Sequence, residues 1–380
     1  MNGHEAAPLS LLTVRNLTRA FAGRRALFGR PGGVVRAVTD VSLDLAVGQT
    51  LGIVGESGSG KSTLGRLALR MIEADSGDIQ FDGRDLRSAS PRELRRLRAA
   101  MTVIFQDPYS ALDPRWTVGR IIAEPLRING SIGAAEQREK IVEILGWVGL
   151  EPEVMNRPPR ALSGGQRQRI VIARALVTRP RLVFCDEPVS GLDLSTRAQV
   201  LALLRDLQRE FGLAYLFVSH DLGVVEAVSD RIAVMYLGSI VEVGSAEAVA
   251  RQYRHPYTAA LVSASPAPDP LAQRARSRVV LSGDPPSAVD VPSGCAFHPR
   301  CALAIPICAD KKPELRIGAD GHGVACHVTN ADSSLSGMTL FARMTGTPAS
   351  PPTATAALAR QQSPRRQRET AVSGYERKSE

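Results

Sequence analysis

The sequence predicts an α/β fold with a mainly parallel sheet. Short apolar runs alternate along the chain with segments whose apolar residues recur at helical spacing, which is typical of parallel strands joined by helices. A glycine-rich loop connects one apolar run, Thr50 to Val54, to a helical segment that begins at Lys61. The chain has 380 residues, 44% of them hydrophobic and 22% charged, which suffices to build a large core.

Each predicted element follows from its own pattern, taken in chain order. Short strands bounded by turn residues precede the glycine loop, and an apolar stripe at i, i+3, i+4 and i+7 marks the helix after it. Apolar runs that end at polar residues predict buried strands, and Leu237-Gly238-Ser239 predicts a hairpin. The predicted strands are 12–17, 37–45, 50–54, 182–185 and 214–218, and the predicted helices include 170–177 and 198–211.

Shifts in composition divide the chain into three parts. The α/β pattern occupies residues 11–265, contains a mostly helical insertion at about 90–160, and ends at a proline-rich stretch, 265–270. Residues 266–330 hold four of the five cysteines and are predicted to form a small C-terminal module. Residues 331–380 are predicted to be disordered, because they have too few large apolar side chains to offset the entropy cost of folding.

Several classes of protein are disfavoured by the sequence. No run approaches the ~18 to 20 apolar residues of a spanning helix, so the chain is not expected to cross a membrane by itself. Residues 1–8 lack the features of a secretory signal, which makes a reducing cytosol the expected compartment and disulfides unexpected. The net charge of +9 is compatible with nucleic-acid binding, but attraction to nucleotide or to an anionic membrane surface is the simpler explanation.

A phosphate-binding loop is the strongest local signal. The run Gly55-Glu-Ser-Gly-Ser-Gly-Lys61-Ser62 lies between a buried strand and a helix and matches G-x4-G-K-[S/T]. Backbone N–H groups of such a loop surround phosphates, the lysine reaches the β- and γ-phosphates, and the hydroxyl binds Mg²⁺. A Gly/Ser-rich turn with an incidental lysine is the alternative. The predicted nucleotide-binding residues are Gly55, Glu56, Ser57, Gly58, Ser59, Gly60, Lys61, Ser62 and Thr63, in a P-loop NTPase fold.

Two adjacent acids end a later apolar strand. Asp186 follows Leu182-Val-Phe-Cys and is predicted to hold Mg²⁺ through water. Glu187 is placed to orient and deprotonate the attacking water, the role of a general base. An acidic pair that merely closes a strand is the alternative for these two residues.

Three further elements point to one family. Leu162-Ser163-Gly164-Gly165-Gln166 precedes a helix, Gln106 stands in Ile-Phe-Gln-Asp-Pro, and His220 ends a predicted strand. Taken singly they could be a helix cap, a solvated loop residue and a core histidine. In this order and spacing the chain resembles the ABC ATPase family, whose Leu-Ser-Gly-Gly-Gln signature it matches letter for letter.

The resemblance implies a dimer with shared sites. Ser163 and Gly165 would contact the γ-phosphate held by a second subunit, with Gly164 and Gln166 completing the signature. Ser190-Gly-Leu-Asp193 matches the loop that links the two sites, although Gly191 replaces the alanine common in this subgroup. Gln106 would sense Mg²⁺ and water, and His220 the γ-phosphate. An aromatic residue near the N-terminus stacks on adenine in this family, with Phe21 the first candidate and Phe28 or Val35 the alternatives.

Other stretches resemble the ATPase subunits of dipeptide and oligopeptide importers, in particular the second of their two ATPases. They include 105–114, 255–266 and 295–301, and the resemblance covers about 11–328. It implies ATP and Mg²⁺ as ligands, a heterodimer with a second ATPase or a homodimer, two membrane permease subunits, and indirectly an extracytoplasmic binding protein, at the cytoplasmic face of a bacterial inner membrane. Importers of nickel or sugars, or a nucleic-acid-handling ABC ATPase, are the alternatives, although the chain shows one cassette and no sustained heptads.

The clustered cysteines suggest a metal centre. Cys295, Cys301, Cys308 and Cys326 lie within about thirty residues of a chain in which disulfides are unexpected. No Cys-x2-Cys pair occurs, so a [4Fe–4S] cluster is predicted ahead of zinc. Four unligated cysteines are the alternative. Cys185 is expected to be a small buried apolar residue of its strand.

Overall fold

Two sheets form the frame of the protein, in a computed structural model that describes residues 10–22, 33–130, 132–265 and 278–346. The smaller sheet is antiparallel in the order β2-β1-β4-β5, and the larger has the order β11-β12-β10-β9-β3-β8-β7-β6. The strands are β1 Ser10–Ala22, β2 Val34–Ala46, β3 Thr50–Val54, β4 Ser76–Phe81, β5 Arg84–Asp85, β6 Met101–Ile104, β7 Leu182–Asp186, β8 Ala214–Ser219, β9 Arg231–Tyr236, β10 Ser239–Ser245, β11 Arg316–Ile317 and β12 Gly323–Val324.

Thirteen helices are described in these ranges, together with 3₁₀ turns at Pro152–Asn156, Pro159–Ala161 and His298–Arg300. The helices are α1 Lys61–Ala68, α2 Pro91–Arg98, α3 Pro108–Ala111, α4 Val118–Asn129, α5 Ala134–Trp147, α6 Gly164–Leu176, α7 Leu194–Phe211, α8 Leu222–Val228, α9 Ala246–Arg251, α10 Pro256–Ala264, α11 Ile307–Asp310, α12 His327–Ala331 and α13 Gly337–Thr345. No helix of the described residues is both long and apolar enough to span a bilayer.

The centre of the larger sheet is parallel and fully buried. Strands β9, β3, β8, β7 and β6 run parallel, and every residue of β3, β7 and β8 is buried. Successive side chains of a strand point to opposite faces, so Val183 and Cys185 enter one hydrophobic core while Leu182 and Phe184 enter the other. The predicted α/β fold is confirmed, and Cys185 is the buried apolar residue that the sequence indicates.

The predicted hairpin lies between β9 and β10. Ser239 pairs with Tyr236, which leaves Leu237 and Gly238 as a two-residue turn, both with positive φ (41° and 83°). Two-residue turns with positive φ match the right-handed twist of paired strands. The turn carries the chain from the parallel part of the sheet to its antiparallel edge.

The segment predicted as a helical insertion is partly sheet. Residues Met101–Ile104 form β6, the edge strand that pairs with β7, so the predicted insertion is interrupted by a strand between α2 and α3. Helices α4 and α5 pack against α6 in that region. The short run from Met101 to Ile104 is apolar enough for a buried strand, but it follows the amphipathic α2 so closely that the helical period obscures it.

The C-terminal module does not form a separate core. Strand β12 pairs with β10 and thereby adds two strands to the sheet of the phosphate loop. Helix α13 lies in the segment predicted to be disordered and buries Leu340 against Tyr253 and Ala259, so that prediction is wrong for residues 337–345. Residues 266–277 and 347–380, which include most of the proline-rich stretch and the rest of the predicted tail, lie outside the described residues.

Candidate nucleotide-binding site

The phosphate loop joins β3 to α1, as the sequence predicts. Gly60 caps α1 with φ of 102°, a left-handed conformation that favours glycine, and a Cβ there would collide with the carbonyl oxygen of Ala37. Ser57 and Gly58 are exposed, whereas Gly55 and Ser59 are buried. Thr63, the third residue of α1, is half-buried. The loop therefore presents its tip to solvent on a rigid base.

Lys61 is held inside the loop by backbone oxygens. Its Nζ donates to the carbonyl oxygens of Gly55 and Glu56, both at 2.8 Å, and the residue is only 5% exposed. Burial lowers the pKa of Lys61, while the carboxylates of Glu187, Asp186 and Glu56 act in the opposite direction. The ammonium group thus lies at the centre of the loop, with three carboxylates around it.

Asp186 connects the end of β7 to the first turn of α1. The hydroxyl of Ser62 donates to Asp186 Oδ1 at 2.6 Å, and Arg66 Nη2 lies 3.4 Å from Oδ2. Asp186 is 4% exposed. A buried carboxylate and a hydroxyl at this distance form a pair of oxygen donors, the ligand type that Mg²⁺ prefers.

The carboxylate of Glu187 lies close to two other predicted residues, Gln106 and His220. Its Oε2 lies 3.4 Å from Gln106 Nε2, which donates to it, and 3.1 Å from His220 Nδ1. Glu187 has φ of 51°, a backbone conformation that non-glycine residues rarely adopt and that is often retained at functional sites. The side chain of His220 is 59% exposed, so this cluster is open on one side. Gln106 and His220 come from two separate segments, and both converge on the carboxylate of Glu187.

The signature segment forms the N-terminus of α6. Ser163 accepts from Gln166 N–H, and the Gln166 side chain accepts from Ser163 N–H, which makes a capping box. Ser163 is exposed, and Gly164 and Gly165 are half-exposed. In the described part of the chain, the hydrogen bonds of Ser163 and Gln166 join them to each other or to the rest of α6, with none to the phosphate loop of the same chain.

Asp193 caps the next helix, α7. It accepts hydrogen bonds from the backbone N–H and the hydroxyl of Thr196 at 3.0 and 2.6 Å. These hydrogen bonds lower the pKa of Asp193. Thr196 also packs close to Gly165, so the linking loop and the signature are neighbours.

Two of the three candidates for adenine stacking lie side by side. Phe21 on β1 is paired with Val35 on β2, and the guanidinium of Arg19 covers the Phe21 ring at 4.8 Å from its centroid. Phe28 lies outside the described residues. The choice among the three stays a prediction.

Two residues that the sequence did not indicate also bind the phosphate loop. The hydroxyl of Tyr257 accepts from Glu56 N–H at 2.7 Å, and the guanidinium of Arg300 donates to the Glu56 carboxylate at 2.9 and 3.2 Å. Tyr236 lies 3.4 Å from the same guanidinium. Arg300 is separated from Glu56 by 244 positions, and no local pattern predicts a contact over that distance.

The four clustered cysteines lie in one region but do not form a ligand set. Cys295 N–H donates to the carbonyl oxygen of Cys308, and Cys295 and Cys301 pack against the hydrophobic core. Burial raises the pKa of Cys295 to about 11 and that of Cys301 to about 12, so both are neutral thiols. No group of three or more His, Cys, Asp or Glu side chains among the described residues, Cys326 included, is placed to hold a metal ion. The predicted iron–sulfur centre is therefore not supported.

Comparison with known families identifies two matching regions. Residues 38–190 match a family model described as ABC transporter, and residues 241–308 match one described as oligopeptide/dipeptide transporter, C-terminal region. The second region includes Arg300 and three of the four clustered cysteines. The two matches fall on the parallel sheet with its phosphate loop and on the module that joins its edge.

Curated relatives match over most of the chain. A Sinorhizobium fredii protein named as a probable peptide ABC transporter ATP-binding protein is 49% identical over 319 residues, 84% of this chain and 90% of the relative. Oligopeptide transport ATP-binding proteins of Bacillus subtilis and Haemophilus influenzae are 46% and 47% identical, and the matches cover 97% and 96% of those proteins.

Solved structures show the same fold. An ATP-binding cassette determined as a dimer with ADP and phosphate is 28% identical, with a TM-score of 0.54 over 62% of this chain and 98% of the other. A cassette from Clostridium perfringens, part of an ABC transporter complex, is 26% identical, with a TM-score of 0.55 over 63% and 90% of the two chains.

Proposed function

This chain belongs to the ATP-binding subunits of ABC transporters, in the branch of the oligopeptide and dipeptide importers, and we propose that it hydrolyses Mg²⁺-bound ATP with Glu187 as the base. It is the ATPase that powers an importer. The names of its relatives favour peptides as the substrate class over nickel or sugars.

The observation that carries the residue assignment is the convergence on Glu187. Two segments distant in sequence from Glu187 bring Gln106 and His220 to the same oxygen of its carboxylate, at 3.4 and 3.1 Å. Their side chains surround the place where a water would attack the γ-phosphate. Glu187 would take the proton of that water, and Gln106 and His220 would orient the water and the carboxylate.

The residues present fit Mg²⁺. Ser62 and Asp186 offer two oxygens 2.6 Å apart next to the phosphate loop, and Gln106 offers a third group of the right chemistry nearby. We expect Ser62 and Asp186 to hold the ion with the help of Gln106. When bound, it would neutralise charge on the β- and γ-phosphates, while Lys61 and the loop N–H groups bind the same phosphates.

Replacing Glu187 by Gln tests the assignment. The variant keeps the hydrogen-bonding shape but cannot accept the proton, so turnover of the assembled transporter should fall by about 10² to 10⁴-fold while ATP binding is retained. Steady-state hydrolysis and nucleotide binding are measured side by side. Glu226→Gln on the exposed face of α8 is the matched control and should leave both unchanged. Near-normal turnover of Glu187→Gln would remove Glu187 from the role.

The partners follow from the same proposal. Ser163 is exposed and the neighbouring glycines are half-exposed, as expected if they contact ATP on another subunit. The proposed complex contains a second ATPase, two membrane permeases and an extracytoplasmic binding protein, and this chain would lie on the cytoplasmic face of the inner membrane. The exposed Ser163 and the open side of the cluster formed by Gln106, Glu187 and His220 are the surfaces available for that assembly.

A [4Fe–4S] cluster on Cys295, Cys301, Cys308 and Cys326 is left out of this proposal, because their arrangement does not form a metal site. It stays a hypothesis of the sequence alone. Iron and sulfide analysis after anaerobic purification tests it, with Cys301→Ser as the control variant. ATP hydrolysis as proposed uses none of the four thiols.

A further inference from the structure

The phosphate loop carries an acidic residue at a place where negative charge opposes its function. Glu56 is the second residue of the loop; its carbonyl oxygen accepts from Lys61 Nζ at 2.8 Å, and its carboxylate is close enough to that ammonium group to act on the pKa of Lys61. Carboxylate and phosphate repel each other, and the repulsion is strong in a partly buried site. A loop with an unpaired carboxylate at this position would bind ATP less well than a loop without one.

Arg300 of the C-terminal module neutralises that carboxylate. Its guanidinium donates to both oxygens of Glu56, at 2.9 and 3.2 Å, and its side chain is 8% exposed. The side chain of Glu56 is 28% exposed, so the pair is shielded from salt and water on the side of the module. Arg300 contacts the loop from the C-terminal module, and its role is to compensate the charge of Glu56.

The rest of Glu56 is also committed. Its N–H donates to the Tyr257 hydroxyl at 2.7 Å, and its carbonyl oxygen accepts from Lys61 at 2.8 Å. Tyr257 packs on Phe297, three residues before Arg300, with ring centroids 5.4 Å apart. Tyr257 of α10, with Phe297 of the module packed on its ring, therefore fixes the backbone of the loop at the residue that also positions Lys61.

From these contacts we infer that Arg300 is a positioning residue for ATP: by pairing with Glu56 it makes the affinity of the phosphate loop for nucleotide depend on the docked C-terminal module. We term the ion pair of Glu56 and Arg300 the module latch. The inference uses the proposed function only in assuming that the loop binds ATP.

Substitution of Arg300 and substitution of Glu56 are expected to change the ATP affinity differently. Arg300→Met leaves Glu56 charged and unpaired beside the phosphates, so the Kd and the KM for ATP should rise about tenfold with kcat little changed. Arg300→Lys keeps the charge and should retain most of the affinity. Glu56→Gln removes the repulsion and should not weaken binding, although it breaks the same ion pair.

The double variant Glu56→Gln/Arg300→Met decides between charge and structure. If the latch acts through charge, Glu56→Gln restores the ATP affinity that Arg300→Met loses. If Arg300 only holds the module in place, the double variant stays as weak as Arg300→Met, and the inference is wrong. Unchanged affinity of Arg300→Met alone would also overturn it.

The experiment uses the full transporter complex, with ATP hydrolysis and binding of a fluorescent ATP analogue measured on each variant. Arg254→Met is the matched control: it breaks the ion pair of Arg254 with Asp320, at 2.6 Å, which also ties the module to the ATPase core but does not touch the loop. Its ATP affinity should equal that of the wild type. Absence of ATP hydrolysis by the wild-type complex would argue against the proposed function itself, whereas failure of the rescue argues against the latch alone.

Discussion

At the scale of single residues, the burial of Lys61 organises the phosphate loop. The ammonium group is 5% exposed and is satisfied by two backbone carbonyls rather than by a carboxylate. Burial lowers its pKa, because a charged amine loses hydration inside the protein. The loop therefore keeps a cation in place at the centre of the phosphate site by the same carbonyls that shape its first turn.

Lys61→Met tests how much the charge of Lys61 contributes to ATP binding. The apolar side chain has a similar length, so the fold should persist, but ATP affinity should fall by about 10-fold or more because the phosphates lose a charged partner. Titration with a fluorescent ATP analogue measures the loss. Lys140→Met, which breaks an exposed pair with Glu136 on α5, should bind ATP like the wild type. Equal affinities in both variants would contradict the role of Lys61.

At the scale of elements, the N-terminus of α10 depends on a buried histidine. Nδ1 of His255 accepts from Tyr257 N–H at 3.1 Å, and His255 N–H donates to Glu242, a fully buried carboxylate on β10. His322 donates to the same carboxylate from the C-terminal module at 2.7 Å. Helix α10, strand β10 and the module are thus joined through one buried polar cluster.

Stability should fall in acid because His255 is buried as a neutral ring. Burial lowers its pKa from 6.5 to about 4, although Glu242 acts in the opposite direction. Between these two values the unfolded chain binds a proton that the folded chain does not, so the free energy of unfolding decreases as pH falls below 6.5. The expected loss from this group at pH 5 is about 2 kcal/mol.

Denaturant unfolding of wild type and His255→Asn at pH 7 and pH 5 checks this expectation. Asparagine can accept the same capping hydrogen bond but does not titrate. The variant should lose less stability between the two pH values than the wild type. An equal decrease in both would show that His255 does not carry the pH dependence.

At the scale of the whole molecule, we expect one chain to supply half of a catalytic unit. The phosphate loop, Asp186 and Glu187 form one cluster, whereas Ser163 of the signature is exposed, and its described hydrogen bonds stay within its capping box and helix α6. The resemblance to the second ATPase of two-ATPase importers predicts that a related but different chain supplies the partner signature.

Purification of the native complex and counting of its chains tests that prediction. We expect one copy of this subunit, one copy of a second ATPase and two permeases. A complex with two copies of this chain and no other ATPase would contradict the heterodimer and leave a homodimer. The count does not depend on activity.

Several features of this protein were determined by local sequence. The phosphate loop, the acidic pair Asp186 and Glu187, and the signature are short patterns of adjacent residues, so local chemistry specifies them. The alternation of buried strands and amphipathic helices likewise predicted the α/β sheet. Strand β6 and helix α13 were missed, because the run at Met101 follows a helix closely and α13 gains its burial only from distant Tyr253 and Ala259.

Tertiary structure decided how the distant parts meet. It joined the module to the sheet of the phosphate loop through β10 and β12, paired Arg300 with Glu56 across 244 positions, and among the described residues gave the four cysteines no arrangement placed to hold a metal ion. Periodicity and motifs report the environment along a few turns of chain, whereas these contacts depend on strand order and on the packing of side chains from remote segments. The chemistry of the ATP site was therefore readable from the sequence, and its connection to the C-terminal module was not, because only the folded chain brings Arg300 to the loop.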